Sequence, residues 1–170
     1  MMLLDYVIVL LLYVIPLYVA NATPIIINGK VPLDLNLKLF GKPIFGKGKT
    51  IRGTIAGILG GTIAGLIVSL VFPYSLILIT NYYVLALFLS IGAIFGDIAK
   101  SFFKRRFDIP SGEKWVLADQ LDFVIGGLIL SVFIRIPELW LVLLLLIATF
   151  FIHSGSNFLA YKLKLKKVPW

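Results

Sequence analysis

The chain has 170 residues, 60% of them hydrophobic and 14% charged, with no cysteine. A soluble domain of this length cannot hide so much apolar side chain in a core, and the lack of cysteine excludes disulfide scaffolds, thiolate metal sites and cysteine nucleophiles. The net charge of +8 would suggest nucleic acid on a soluble protein, but on a membrane chain it reads as an orientation signal or a match to an anionic substrate, and no nucleic-acid partner is expected.

Residues 3–20 form the first apolar segment, with Asp5 near its start and Pro16 inside. It lacks the positive n-region of a secretory signal and reads as a retained transmembrane helix. A loop over 21–53 follows, holding Lys30, Lys38, Lys42, Lys47, Lys49 and Arg52. Positions 53–96 carry no charge. One span needs about 20 residues, so this run is two helices, 54–72 and 82–99, with Pro73 and Asn81 marking the reversal. A second loop, 100–114, holds Lys100, Lys104, Arg105, Arg106 and Lys114. The fourth span, 115–134, carries Asp119 and Asp122. The fifth, 139–161, follows the Arg135-Ile136-Pro137-Glu138 turn and contains the only histidine, His153, read as a packed side chain. The tail, 162–170, adds Lys162, Lys164, Lys166 and Lys167.

Every basic residue except Arg135 thus falls on one side, which the positive-inside rule makes the cytoplasm. The expectation is an all-α, polytopic single membrane domain over 1–170. It has five transmembrane helices, two basic cytoplasmic loops, the N-terminus outside and the C-terminus cytoplasmic. Gly53, Gly57, Gly61 and Gly65 repeat at four-residue spacing on the second span. Such a stripe implies close packing of a neighbouring helix; a lipid-chain groove beside the same face is the other reading.

Asp97 lies three residues before Lys100, and Asp119 lies four after Trp115. At 1.5 Å per residue both sit roughly 5–6 Å below the cytoplasmic surface, on consecutive antiparallel helices. Asp122 shares the face of Asp119 at i+3. Three carboxylates at one depth repel one another unless a cation holds them. Oxygen-only ligands without a nearby histidine point to Mg²⁺ rather than zinc. The other reading pairs each aspartate with a base such as Lys100 or Lys104.

Lys100, Ser101 and Lys104 follow Asp97 at i+3, i+4 and i+7, placing an acid, a hydroxyl and two ammonium groups on one face. That stripe suits a phosphate-bearing substrate with a metal, or is an ordinary flank that sets topology. Gly46-Lys47-Gly48-Lys49-Thr50 ends like a P-loop, but Pro43 stands where the first glycine belongs and no strand pattern precedes it. What survives is a glycine-rich basic loop whose N–H groups and Lys49 suit phosphates, with Arg52 at a helix N-terminus that also favours anions.

Gly96-Asp97, Ser101, Lys104-Arg105, Gly112 and Asp119-Gln120-Leu121-Asp122 together resemble the signature of CDP-diacylglycerol synthases, the membrane CTP:phosphatidate cytidylyltransferases. Asn21, Pro32-Leu33-Asp34 and Gly48-Lys49-Thr50-Ile51-Arg52-Gly53 extend the likeness to their shorter archaeal relatives, the CDP-archaeol synthases, and it covers positions 21 to about 127. The bacterial and eukaryotic signature has His-Gly-Gly before its acidic pair and an arginine within it. Here Trp115-Val116-Leu117-Ala118 and Gln120 stand instead, as in the archaeal branch. Lys47 replaces an acid usual in that branch.

The resemblance implies transfer of CMP from CTP to an isoprenoid ether-lipid phosphate, 2,3-bis-O-geranylgeranylglycerol 1-phosphate, giving CDP-archaeol and pyrophosphate. The cofactor would be Mg²⁺ and the place the cytoplasmic side of the cell membrane. Asp97, Asp119 and Asp122 would hold the metal, with Lys104 also catalytic. Asn21, Asp34, Lys49, Thr50, Arg52, Gly53, Lys100, Ser101, Lys104, Arg105 and Gly112 would bind CTP and the lipid phosphate. A lipid phosphate is already an anionic nucleophile, so catalysis reduces to positioning and charge neutralisation. The alternatives are a CTP-dependent polyprenol or dolichol kinase, which must activate a neutral hydroxyl, and a small transporter, which would spread polar groups across the bilayer.

Overall fold

A chain this apolar must satisfy its backbone N–H and C=O groups internally, and helices do so within each segment. The computed structural model describes residues 3–110, 113, 115, 117–162 and 164; the expectations for Gly112, Lys114 and the end of the tail lie outside these, as does the side chain of His153. The elements are α1 (Leu3–Ile26), a hairpin of β1 (Lys38–Leu39) and β2 (Lys42–Pro43), α2 (Ile51–Val71), α3 (Tyr74–Leu78), α4 (Tyr82–Arg106), α5 (Ala118–Ser131) and α6 (Leu139–Lys162). Among the described residues α1, α2 and α4 are each long and apolar enough to cross a membrane.

Several boundaries differ from expectation. Helix α1 continues to Ile26 rather than 20, so Asn21 is helical. Pro24 gives no N–H to the Ala20 carbonyl, and that oxygen instead lies against Gly57, where an added Cβ would meet it at 2.9 Å. Helix α4 runs to Arg106, so Lys100, Ser101, Lys104 and Arg105 stand on a rigid helix and not in a loop. Helix α5 has 14 residues and starts at Ala118, making it about 21 Å long. Its start is delayed because Leu117 takes φ +67°, a positive φ that a right-handed helix excludes. The reversal between α2 and α4 contains the short α3. Nor is the segment before Gly46 strandless: the β1–β2 pair lies there, two residues to a strand, too short to leave an alternating pattern.

The glycine stripe of α2 packs as the tight-contact reading predicts. Gly53, Gly57, Gly61 and Gly65 are all buried, against α1 and α4. No lipid chain fits on that face. An apolar recess of about 700 Å³ opens instead beside the outer face of α2, lined by Val31, Ile51, Ile55 and Leu59 among others.

A second close contact positions the acidic residues. Gly96 on α4 meets α5 backbone to backbone, and a Cβ there would lie 2.9 Å from the Asp122 carbonyl carbon and 3.2 Å from Gly126 Cα. Gly92 likewise has Gly127 Cα 2.7 Å from where its Cβ would be. Small residues four apart let helices approach in this way. Below these contacts Tyr13, Leu17, Tyr82, Leu85, Leu89, Phe123 and Val124 form a fully buried core. At the far end Asp5 accepts from Tyr74 Oη (3.0 Å), and Arg135 donates to the Leu78 carbonyl (2.8 Å).

Candidate active site

The α1–α2 connection is held by backbone pairing. Leu33 N donates to Lys49 O (2.7 Å) and Ile51 N to Val31 O (3.1 Å). Thr50 caps α2: its Oγ1 accepts from Gly53 N (3.1 Å) and Gly29 N (3.2 Å) and donates to Asn28 Oδ1 (2.9 Å). A threonine here satisfies helix-end donors that would otherwise be unpaired. Asp34 is buried and accepts from Asn36 N (3.0 Å), Phe45 N (2.9 Å) and Gly46 N (2.9 Å). Thr50, Gly53 and Asp34 therefore shape the loop and aim Lys49.

Burial pushes the Asp34 carboxyl up, but the N–H groups of Gly46, Phe45 and Asn36 hold it net below the usual carboxylate range. A carboxylate whose folded-state pKa is depressed contributes stability above its unfolded value, and that stability is lost as pH falls through the folded one. The loop should therefore loosen only below about pH 4. Asp34→Asn is expected to remove this acid limb and to lower stability at neutral pH, read by thermal unfolding in detergent between pH 3 and 7; an unchanged acid limb would refute the assignment.

The charged residues meet where the loop, the end of α4 and the start of α5 converge. Lys100 Nζ lies 3.1 Å from Asp97 Oδ1, 3.2 Å from Asp119 Oδ1 and 2.6 Å from Asp122 Oδ2. Lys49 pairs with Asp97 Oδ2. Lys104 Nζ donates to both Asp119 oxygens (2.9 and 3.0 Å) and to Glu113 O (2.5 Å). Trp115 N also donates to Asp119 Oδ2 (2.6 Å). The three carboxylates are balanced by three ammonium groups, the pairing reading of the sequence. Among the described residues no cluster of three acids or histidines is already drawn to metal-ligand spacing.

The donor set nonetheless suits a hard cation. Its acidic groups offer only oxygen, and the buried Asp122 Oδ2 has the Lys100 ammonium 2.6 Å away as its partner. Oxygen donors are the ligand type that a hard cation such as Mg²⁺ takes.

Two adjoining cavities flank the trio. One, of about 410 Å³, is lined by Asn21, Asn28, Gly48, Lys49, Lys100 and all three aspartates among others. The other, of about 140 Å³, is lined by Phe45, Gly48, Lys49, Lys100, Ser101, Lys104 and Arg105. Ser101 Oγ donates to the Asp97 carbonyl (2.9 Å), and Arg105 Nε is buried with no hydrogen-bond partner among the described residues.

Asn21, Lys49, Lys100, Ser101, Lys104, Arg105 and the aspartates are thus brought together. Arg52 is not: it lines the apolar recess beside α2. Lys47 is exposed and lines neither cavity. Asn28 and Gly48 line the acidic cavity without having been singled out for it. Gly48 stood in a loop motif, but nothing in the sequence marked Asn28.

The bundle gathers these charges at one end, in cavities against an apolar body, as an enzyme working at a membrane surface would need. The sequence profile of the CarS-like family, CDP-archaeol synthase, matches residues 3–170. CDP-archaeol synthases from Methanococcus maripaludis and Methanocaldococcus jannaschii are 42% and 40% identical to the chain. The first alignment covers 93% of each protein, the second 93% of this chain and 94% of its relative. The one from Thermococcus onnurineus is 37% identical, over 93% of this chain and 94% of its own. A solved structure of an intramembrane enzyme for archaeal membrane lipid biosynthesis superposes with a TM-score of 0.77 at 33% identity, covering 86% of this chain and 90% of that one. The chain belongs to the CDP-archaeol synthase family. It is a membrane enzyme of archaeal lipid biosynthesis with cytidylyltransferase activity.

Proposed function

We propose that the enzyme transfers CMP from CTP to 2,3-bis-O-geranylgeranylglycerol 1-phosphate, on the cytoplasmic side of a five-span bundle. The observation that carries this is the meeting of Asp97, Asp119 and Asp122 with Lys49, Lys100 and Lys104 at one end of the bundle. The lysine bias of the flanking loops supports that end as the cytoplasmic one. A soluble nucleotide reaches it from water while the isoprenoid chains stay in lipid.

Asp97, Asp119 and Asp122 would hold Mg²⁺, which when bound neutralises phosphate charge and orients the groups that react. The chain's own bases do the rest. Arg105, whose Nε has no partner among the described residues, and Lys49 face the cavity wide enough for phosphates. Lys104, whose three N–H groups go to the two Asp119 oxygens and the Glu113 carbonyl, holds Asp119 in place and keeps a fixed positive charge beside the cavity. An oxygen of the lipid phosphate attacks the α-phosphorus of CTP. A new P–O bond forms, the α–β bridging bond breaks, and pyrophosphate leaves with the electron pair. No proton must be removed from the nucleophile. A lipid kinase would need a base for its alcohol, which this transfer does not.

Purified protein with CTP, Mg²⁺ and the ether-lipid phosphate is expected to release pyrophosphate and form CDP-lipid in equal amounts, and only with the lipid present. Release of CDP would replace the proposal by the kinase. Release of neither product would leave the charged cluster without this reaction.

A further inference from the structure

Lys100 occupies an unusual place for a group that would hold phosphate. Its side chain is only 14% exposed, and its ammonium sits among carboxylates from two helices. Every oxygen of the trio faces a protein donor. Lys49 and Lys100 divide the two Asp97 oxygens; Lys100, Lys104 and Trp115 N share those of Asp119. Phe123 N (2.7 Å) and Lys100 take the two of Asp122. A divalent cation held by these aspartates needs oxygens at about 2.0–2.1 Å. An ammonium already within 3.2 Å of all three fills the same focus, and like charges there repel. Lys100 also has somewhere to go, because its side chain lines the small basic cavity as well as the acidic one.

We infer that the Lys100 ammonium is a placeholder for the metal: it neutralises the three carboxylates until a divalent cation enters, then leaves the focus and turns into the basic cavity toward the phosphates. This rests on the reading of the aspartates as metal ligands. Metal binding would thereby add one positive charge to the phosphate side of the site. Because coupling between two ligands is reciprocal, bound phosphate would also favour the metal by giving Lys100 a new partner.

The test uses the full chain in detergent without nucleotide. Mn²⁺ binding is followed by the electron paramagnetic resonance signal of the free ion, in the wild type, in Lys100→Met and in Asp122→Asn. Methionine keeps the length of the side chain and removes the charge. Lys100→Met is expected to bind Mn²⁺ at least about ten-fold tighter, about 1.4 kcal/mol. Asp122→Asn should lose binding.

Removing a nearby charge would by itself raise affinity, so the wild type is also labelled with acetic anhydride and Lys100 acetylation is read by mass spectrometry. Lys100 is expected to become several-fold more reactive at saturating Mn²⁺, with exposed Lys162 as the internal reference. If Lys100→Met fails to fold, the labelling decides alone. Unchanged Lys100 reactivity, or unchanged affinity in a folded Lys100→Met, overturns the placeholder, and leaves the metal assignment standing provided Asp122→Asn still loses Mn²⁺. Absence of any Asp122-dependent binding in either protein removes the metal assignment and the inference with it.

Discussion

Asp119→Asn is expected to lower turnover by about 10³-fold or more while the protein still inserts and folds. Asparagine keeps the shape but loses the charge, and it turns an NH₂ toward one of the donors that Asp119 now receives. Those donors are Lys104, Lys100 and Trp115 N, so at least one of them must lose its acceptor. A metal's contribution to transition-state charge is several kcal/mol, and each 1.36 kcal/mol is about ten-fold in rate. Roughly 4 kcal/mol therefore separates the two proteins. Pyrophosphate release at saturating CTP is the measurement. Near-normal turnover would remove Asp119 from the catalytic group, and with it the claim that the trio acts as a unit.

Gly96→Ala should also be severe, although it changes no charge. Its Cβ would have to share space with the Asp122 carbonyl group and Gly126 Cα, which is backbone and cannot rotate away. Overpacking of this kind costs about 1–3 kcal/mol. The larger consequence is geometric. Separating α4 from α5 moves Asp97 away from Asp119 and Asp122, and a misplacement near 1 Å at a reacting centre is worth about 10²-fold. The expected result is a loss of about 10²-fold in kcat with a lowered unfolding temperature in detergent. A variant with normal kcat would show that the helix contact does not set the carboxylate geometry.

Much of this site is legible in the residues, and its limits are physical. Uncharged runs locate the helices because lipid tolerates no unpaired backbone. The i+3 spacing of Asp119 and Asp122, and the equal depth of Asp97, place three acids together, where they are found. The sequence does not show how many partners one flexible side chain takes. Lys100 could pair with any one aspartate, but only the approach of α4 to α5 brings all three to it. Of the glycines that permit the approach, Gly92 and Gly126 look ordinary in an apolar run, and Gly96 stands out only through its place in the family signature.

Loop polar residues show a different limit: the sequence does not reveal what they bond within the fold. Asp34 accepts from backbone N–H groups, and Thr50 bonds backbone N–H groups as well as the Asn28 side chain. Arg52 lies two residues after Thr50 yet faces the recess on the outer side of α2, because Gly53 and Gly57 take the inner face. The extra turns of α1 escape notice because Asn21, Thr23 and Pro24 read as a loop. Thr23 Oγ1 instead donates to the Val19 carbonyl (2.7 Å), within the helix.

The arrangement of charges along the chain also bears on the order of assembly. Helices α4 and α5 are neighbours in sequence, pack extensively and carry all three aspartates; α1 and α2 form the other such pair and bring Lys49. Membrane helices insert first and associate afterwards. The earlier pair therefore waits with an uncompensated lysine, and α4 with Asp97 and Lys100 answers it only in part. Charge neutrality is reached when α5 docks, so correct association of the last acidic helix is itself the step that locks the two halves into register.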